Sequence, residues 1–251
     1  MLELIHTATL LHDDVIDAAD TRRGQASSNR RWGNSMTVLA GDWLYMESFR
    51  IALGERNFRI LDVLIGLTQK MVEGELLQLT RLGRLVTEDE ALDIARRKTA
   101  CLFAVSMQLA AILTGKSTDD EERLTTYGLN LGLAFQVIDD LLDFTASAER
   151  LGKPVVSDLR EGKVTVPLVI ALEATPAGRA KVETVLAEKG FRSVKPEEIV
   201  ALVRESGAVE RTRARAAELT AVAAHSLAPF PDSASKRALE AIPQFVLSRD
   251  F

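Results

Sequence analysis

Two clusters of aspartates in apolar surroundings constrain this chain more than any other feature. They lie in the segments Leu10–Asp17 and Phe135–Asp143. The triplets are Asp13, Asp14 and Asp17 in the first segment and Asp139, Asp140 and Asp143 in the second. Because a helix completes a turn every 3.6 residues, the first and last aspartate of each triplet share one helix face. Like charges at this spacing destabilise an isolated helix, so one triplet alone is as consistent with a solvated acidic face as with a binding site.

The repetition of the triplet favours a binding site. Both copies are flanked by Leu, Val, Ile or Phe, so we expect largely buried helices whose carboxylates face a cavity. Buried carboxylates need partners, and Mg²⁺ accepts a few carboxylates while it keeps several waters and shares its other positions with substrate phosphates. The pattern therefore predicts a diphosphate bound through Mg²⁺.

Composition and periodicity predict an all-α protein. Aromatic residues make up only 5% of the 251 residues, and no stretch shows the period-2 alternation of a strand, so residues 1–251 are interpreted as a single helical domain. The net charge of -5 argues against a nucleic-acid partner. Cys101 is the only cysteine, which excludes an internal disulfide and favours an inert buried thiol in a reducing, cytoplasmic setting. Leu102–Leu113 is too short for a transmembrane segment, and no signal peptide is recognisable.

Capping signals and apolar periodicity predict the helix positions. Thr87-x-x-Glu90 and Thr118-x-x-Glu121 have the form of capping boxes. The predicted helices cover residues 1–18, 36–53, 58–82, 87–113, 118–144, 167–173, 177–189, 196–205, 209–227 and 233–247, and residues 20–34 and 151–163 are predicted loops. Because Leu2 and Leu4 open the first helix with no capping residue before them, we expect earlier helices to be missing.

Cationic residues accompany both triplets. Arg22 and Arg23 follow the first triplet, and guanidinium groups bind phosphate in a bidentate manner, so anion binding is favoured over a solvated surface. Lys98 is either a surface cation or a phosphate contact. Lys153 and Lys163 bracket a loop that is suited to cover a metal-bound diphosphate, with a solvated connection as the alternative.

These motifs resemble those of the trans-isoprenyl diphosphate synthases. The resemblance rests on the two D-D-x-x-D motifs, Arg22-Arg23-Gly24, Lys98-Thr99 and Gly162-Lys163 in this order. The segments 6–17, 72–75 and 132–143 are similar to long-chain members such as octaprenyl and solanesyl diphosphate synthases. The family implies an antiparallel helical bundle around a deep central cavity, a homodimer, and two or three Mg²⁺ ions. The implied reaction joins isopentenyl diphosphate to an allylic prenyl diphosphate and gives a long all-trans polyprenyl diphosphate, a quinone side-chain precursor.

The resemblance also implies residue roles. The six aspartates would form the metal site, and Lys98 together with Asp13, Asp14, Asp17, Asp139 and Asp140 would be catalytic. Contacts to the allylic substrate would come from Arg22, Lys98, Thr99, Gln136, Lys153 and Lys163. Contacts to isopentenyl diphosphate would come from His6, which lies two turns before Asp13 on the same face, and from Arg23. The family's upstream Gly-Gly-Lys segment and a further Arg are absent, which should weaken the binding of isopentenyl diphosphate.

Product length follows from the residues that precede the first motif. Bulky aromatic side chains there would close the cavity, whereas this chain has Ala8 and Thr9. We therefore expect an open shaft and a long product.

Two other functions share some of these features. A class I terpene cyclase also ionises a prenyl diphosphate, but its second motif would be of the Asn/Ser/Glu type. A noncatalytic partner subunit of a hetero-oligomeric synthase would typically lose its aspartate motifs, and both are intact here. A di-iron helical bundle would need two Glu-x-x-His motifs, and the sequence has one, at Glu3 and His6.

Overall fold

The computed structural model describes residues 1–22, 24–146 and 155–249. Most of the described residues are helical, which confirms the all-α prediction. The candidate residues Arg23 and Lys153 lie outside the described residues.

The helices follow one another along the chain as α1 (Leu2–Ile16), α2 (Ser28–Trp32), α3 (Asn34–Gly54), α4 (Phe58–Arg81), α5 (Glu88–Ala95), α6 (Cys101–Leu113), α7 (Thr118–Thr145), α8 (Ser157–Arg160), α9 (Val166–Ala174), α10 (Arg179–Glu188), α11 (Pro196–Glu205), α12 (Ala208–Ser226) and α13 (Ala234–Leu247). A π-helical turn, Arg96–Ala100, joins α5 to α6. A 3₁₀ turn, Pro176–Gly178, precedes α10. The strands β1 (Thr21–Arg22) and β2 (Gln25–Ala26) pair in an antiparallel hairpin.

The chain divides into two compact units, Met1–Gln69 and Lys70–Phe251, with the boundary inside α4. In the first unit α1 packs along α3, and the short helix α2 contacts both. Ile5 and Ala8 of α1 and Ala52 of α3 are fully buried. The sequence prediction of one domain over residues 1–251 stays a prediction.

Helix α7 is the centre of the second unit. It packs against α6, α12 and the π turn, and it is buried on most of its circumference. Gly128 lets the two backbones of α6 and α7 approach, because a Cβ atom there would overlap the carbonyl oxygen of Phe103 and lie 2.8 Å from Cα of Ala104. Tyr127 is buried beside it, and its hydroxyl donates to the carbonyl oxygen of Leu239 over 2.7 Å. This packing fixes the helix that carries the second aspartate motif.

The predicted loop over residues 20–34 is wrong in part, because the segment contains the hairpin and α2. The backbone N–H of Ser28, at the start of α2, faces the carboxylate of Asp14 at 3.4 Å. A carboxylate at a helix N-terminus stabilises the helix, and here it comes from another part of the chain. Local sequence rules do not detect such a contact. In the predicted loop 151–163, the described part likewise contains the short helix α8.

The two predicted capping boxes have different outcomes. The box at Thr87 and Glu90 is confirmed, with reciprocal hydrogen bonds of 3.0 and 3.2 Å. The box at Thr118 is wrong by one residue, because the cap is Ser117, whose Oγ accepts from the N–H of Asp120. Glu121 instead accepts a hydrogen bond from Gln108.

The prediction of an inert thiol agrees with the surroundings of Cys101. Burial raises the pKa of its thiol to about 11, and Sγ lies 2.8 Å from the carbonyl oxygen of Arg97. The reactive thiolate is therefore disfavoured at neutral pH. Among the described helices, none combines the length and the apolar character needed to cross a membrane.

The contact between α6 and α7 leads to a stability prediction. Gly128→Ala should lower the free energy of unfolding by about 3 kcal/mol, because the added methyl meets backbone atoms that cannot move aside. Gly66→Ala is the control, since nothing lies within 4 Å of its Cβ position and a helical Ala should add about 0.5–1 kcal/mol. Urea unfolding followed by circular dichroism measures both variants. Equal unfolding midpoints would contradict this account of the packing.

Candidate active site

In the first motif Asp14 is the buried carboxylate. Its side chain is 1% exposed, and Oδ1 accepts a hydrogen bond of 2.6 Å from Nε of Arg22. Arg22 belongs to the hairpin strand β1, so this ion pair joins the end of α1 to the hairpin. The structure therefore brings together two of the predicted site residues, and the carboxylate of Asp14 holds the guanidinium group of Arg22.

Asp13 lies on the side of α1 that packs against α3. Burial raises the pKa of the Tyr45 hydroxyl to about 12, and the carboxylates of Asp13 and Asp42 add to the shift. Asp17 is exposed and follows the last residue of α1, where its N–H donates to the carbonyl oxygen of Asp13 over 2.8 Å. Asp13 and Asp17 are thus more accessible than Asp14.

His12 holds α1 against α3. Its Nε2 lies 3.4 Å from Oδ1 of Asp42 and 3.2 Å from the carbonyl oxygen of Val38. Gly41 makes room for the ring, because a Cβ there would lie 2.7 Å from Cδ2 of His12. Gly41 therefore allows α1, which carries the first motif, to pack closely against α3.

The remaining predicted residues of α1 occupy defined positions. His6 is half-buried, and its carbonyl oxygen accepts from Oγ1 of Thr9 over 2.7 Å. Ala8 is fully buried. Their predicted roles in substrate binding and product length stay predictions.

In the second motif Asp140 is buried beside three other carboxylates. Burial raises its pKa well above the ordinary value, and repulsion by Asp158, Asp139 and Asp143 adds to this effect. A hydrogen bond of 2.7 Å from Nε2 of Gln136 opposes the shift. The carboxylate form of Asp140 is therefore poorly compensated by the protein alone.

Asp143 joins α7 to α8. It is 1% exposed, and its two oxygens accept from Oγ of Ser157 over 2.9 Å and from the N–H of Asp158 over 3.1 Å. Its carbonyl oxygen accepts from the N–H of Val156. This third aspartate of the motif therefore fixes the start of α8, and with it the position of Asp158.

Asp139 is half-exposed at the edge of the motif. Nη2 of Arg249 lies 3.3 Å from its Oδ1. The same guanidinium group lies over the ring of Phe135, 4.4 Å from the centroid. The carboxylates of Asp139 and Asp140 therefore have different neighbours although they are adjacent in sequence.

The π turn positions Lys98 and Thr99. Nζ of Lys98 lies 2.5 Å from Oε2 of Glu75 on α4, and Gly74 permits this approach because a Cβ there would lie 2.8 Å from the N atom of Lys98. Oγ1 of Thr99 donates to Oε1 of Gln136 over 2.8 Å. Gln136 thereby links the π turn to Asp140, and π turns of this kind are frequent at functional sites.

Five predicted site residues line one cavity of about 180 Å³ in the second unit. They are Lys98, Thr99, Gln136, Asp140 and Lys163, and Asp158 joins them. The volume lies below the roughly 300–1,000 Å³ of sites for drug-sized ligands, so it suits a compact headgroup. A hydrogen bond of 2.9 Å from the N–H of Gly83 to the carbonyl oxygen of Gly162 ties together two loops next to the cavity.

The cavity offers two carboxylates to a cation, those of Asp140 and Asp158. Within residues 1–22, 24–146 and 155–249, no group of three or more His, Cys, Asp or Glu side chains is arranged to hold a metal ion. Mg²⁺ commonly uses one or two protein carboxylates and completes its shell with water and substrate phosphates. The poorly compensated carboxylate of Asp140 fits this mode of binding, in which the metal arrives with the anion.

Sequence reasoning missed Asp158 and Glu75. Asp158 stands in a polar stretch bounded by Gly and Pro, where nothing in its spacing separates a site residue from a solvated one. A signal for Glu75 was present, since Gly74 interrupts a helical pattern and such a glycine often marks a close backbone contact.

Comparison with known proteins connects this site to a family. The profile of the family described as Polyprenyl synthetase matches residues 1–203. The chain belongs to this family. Among its relatives, octaprenyl diphosphate synthase of Escherichia coli K12 is 38% identical over 252 residues, which cover 100% of this chain and 78% of that protein. Solanesyl-diphosphate synthase 2 of Oryza sativa, a chloroplastic protein, is 37% identical over 99% of this chain and 61% of its own length.

Solved structures of the family have the same fold. A decaprenyl diphosphate synthase from Rhodobacter capsulatus matches with a TM-score of 0.93 and 36% identity over 100% of this chain and 78% of that one. A polyprenyl synthase from Caulobacter crescentus, complexed with calcium and isoprenyl diphosphate, matches with a TM-score of 0.94 and 36% identity over 100% and 77% of the two chains. These matches confirm the isoprenoid-synthase fold that is predicted for this chain from its sequence.

The raised pKa of Asp140 leads to a prediction about pH. Because its folded pKa lies above its unfolded value, the wild type loses stability as the pH rises from the ordinary Asp value through the raised one. Without divalent cations at pH 8, Asp140→Asn should therefore raise the free energy of unfolding by about 1–3 kcal/mol, and the gain should shrink as the pH falls toward about 4.

Urea unfolding at a series of pH values measures this difference. Glu122→Gln, an exposed carboxylate on the same helix, is the control and should follow the wild-type curve at each pH. A lower stability of Asp140→Asn at pH 8 would show that the carboxylate is well compensated and would contradict the assignment.

Proposed function

We propose that this protein joins isopentenyl diphosphate to an allylic prenyl diphosphate in a Mg²⁺-dependent reaction that gives a long-chain all-trans polyprenyl diphosphate. The observation that carries the proposal is the cavity in which the π turn and α7 bring cations and carboxylates together. Relatives that are octaprenyl, solanesyl and decaprenyl diphosphate synthases support the long product.

The chemistry follows from the charges that line the cavity. Lys98 and Lys163 bind oxygens of the allylic diphosphate, and Asp140 and Asp158 would hold Mg²⁺ next to it. When bound, Mg²⁺ neutralises charge on the departing pyrophosphate. Breakage of the C1–O bond leaves an allylic carbocation, the double bond of isopentenyl diphosphate forms the new C–C bond, and one proton is lost.

Neighbouring groups hold the binding side chains in place before the substrate arrives. Glu75 fixes the ammonium group of Lys98, and Gln136 holds the hydroxyl of Thr99. Groups oriented in advance stabilise developing charge without reorganisation at the moment of reaction. The contact between the loops at Gly83 and Gly162 helps to exclude water beside Lys163.

For the first motif we propose that Asp13 and Asp17 bind Mg²⁺ and that Asp14 acts mainly through Arg22. The support is the difference in exposure, because Asp14 is buried in an ion pair and Asp17 is open to solvent. With its Nε bound to Asp14, Arg22 retains other N–H groups for a substrate phosphate. Arg23 and His6 complete the proposed set as contacts to isopentenyl diphosphate, and Lys153 as a contact to the allylic substrate.

We further propose a homodimer, two or three bound Mg²⁺ ions and a cytoplasmic location. The support for the dimer is a stripe on α3, where Leu39, Trp43 and Met46 recur at helical spacing and are each more than 60% exposed. Apolar stripes of this kind on a surface commonly mark an interface with another chain.

The proposed reaction is tested with farnesyl diphosphate, isopentenyl diphosphate and Mg²⁺, followed by sizing of the products. Wild type should give a long polyprenyl diphosphate, whereas a cyclase would give a cyclic hydrocarbon or alcohol and a noncatalytic subunit no product.

Asp13→Asn should lower the rate at least about 100-fold, because it removes charge that holds the metal. The control Asp20→Asn, an exposed residue paired with Arg30, should change the rate less than about twofold. Unchanged prenyl transfer by Asp13→Asn would refute the metal role.

The product-length role of Ala8 has its own test. Ala8→Phe should shorten the main product by several isoprene units, because an aromatic ring would obstruct the shaft. Because Ala8 is fully buried, the thermal midpoint of Ala8→Phe is measured as well, to show that the variant folds. Thr9→Phe, at a half-buried position, is a second test and should also shorten the main product. If both variants fold and both make the wild-type product, the open-shaft interpretation fails.

A further inference from the structure

The wall of the cavity contains polar atoms without hydrogen-bond partners in the described part of the chain. They are Nε of Arg81, Nε2 of Gln78 and Oγ1 of Thr165. Each of these groups can donate a hydrogen bond. A buried donor without an acceptor destabilises a folded protein, so three such donors in one cavity point to a ligand that supplies acceptors.

The positions of these residues make them one group. Gln78 and Arg81 lie three residues apart near the end of α4 and therefore share a face of the helix. Thr165 follows Lys163 by two residues and approaches the cavity from a different segment. The donors thus belong to two walls of the same small space.

The guanidinium group of Arg81 is held at its other end. Nη2 lies 2.9 Å from Oε1 of Glu90, and Glu90 is itself fixed by the capping box at Thr87. This ion pair restricts the side chain but leaves its Nε–H without an acceptor. The ion pair with Glu90 therefore does not account for the burial of this N–H group beside the cavity.

The charges of the cavity identify the kind of ligand. Arg81, Lys98 and Lys163 bring three positive charges, and the carboxylates of Asp140 and Asp158 are suited to a cation. Each of these cations has a carboxylate partner outside the cavity lining, which is Glu90, Glu75 or Glu161 respectively. It is the three unpartnered donors beside them that favour an anion with several acceptor oxygens. At about 180 Å³, the cavity has room for the headgroup of a prenyl diphosphate.

We propose that Arg81 is a further diphosphate-binding residue of this cavity, with Gln78 and Thr165 donating hydrogen bonds beside it. The proposal rests on the proposed function, since it extends the same site. None of the three stands in a motif that the sequence alone reveals. Arg81 contributes to binding of the allylic substrate and stabilises the charge on the departing pyrophosphate.

Calorimetric titration with inorganic pyrophosphate in the presence of Mg²⁺ tests the inference on the whole chain. Arg81→Met keeps the aliphatic stem and removes the donors, and it should weaken pyrophosphate binding at least tenfold. Two controls distinguish this effect from loss of the ion pair and from loss of any nearby cation. Glu90→Gln removes the charge of the ion pair and keeps the capping box, and Arg84→Met removes an exposed cation nearby, so both should stay within twofold of wild type.

Two further measurements separate binding from a structural role. The thermal midpoint of Arg81→Met without pyrophosphate should equal or exceed that of wild type, because an unsatisfied buried donor is lost. The KM for farnesyl diphosphate should rise at least tenfold in Arg81→Met, whereas Arg81→Lys, which keeps the charge, should recover part of the loss.

The outcomes distinguish the role of Arg81 from the proposed reaction. Pyrophosphate affinities that are equal in wild type and Arg81→Met would overturn the role of Arg81, even if prenyl transfer is observed. Loss of affinity in Glu90→Gln equal to that in Arg81→Met would assign the effect to the ion pair and also overturn it. Pyrophosphate binding that depends on Arg81 in a chain without prenyl transfer would support this inference and contradict the proposed reaction. A wild type that does not bind pyrophosphate would contradict both.

Discussion

The burial of the Asp140 carboxyl group beside other carboxylates is the constraint on which the second unit depends. Helix α7 forms the centre of this unit because it is apolar on most of its sides, yet it carries three aspartates near its end. Burial and the charges of Asp158, Asp139 and Asp143 raise the pKa of Asp140, and one hydrogen bond from Gln136 opposes them. A buried carboxylate of this kind needs a compensating partner, and the matching protein from Caulobacter crescentus was solved with calcium and isoprenyl diphosphate.

Much of the surrounding structure serves to orient charged groups. Asp143 uses its carboxylate to fix α8 and thereby places Asp158 near Asp140. Gly74 brings α4 close to the π turn, so that Glu75 reaches Lys98. In the first motif Asp14 performs a comparable function for Arg22. In both motifs one aspartate of the triplet thus supports neighbouring residues, Asp14 through Arg22 and Asp143 through the start of α8.

The resemblance to the trans-isoprenyl diphosphate synthases implied five residues of the cavity. The sequence predicted the fold class and most helix positions, because these depend on local periodicity. It did not predict features that depend on contacts between distant segments. The helix α2 begins against the carboxylate of Asp14, and Asp158 reaches Asp140 only through the bonds of Asp143. The one-residue error at the start of α7 arose because Ser117 and Thr118 are both good caps and only the backbone geometry distinguishes them.

The central claim is that the buried carboxylates of the second motif bind a divalent cation together with a diphosphate. Electron paramagnetic resonance of Mn²⁺, titrated into the chain with and without inorganic pyrophosphate, tests it most directly. Wild type should bind Mn²⁺ tightly only when pyrophosphate is present, and Asp140→Asn should weaken this binding at least tenfold. Equal Mn²⁺ binding by wild type and Asp140→Asn in the presence of pyrophosphate would contradict the claim.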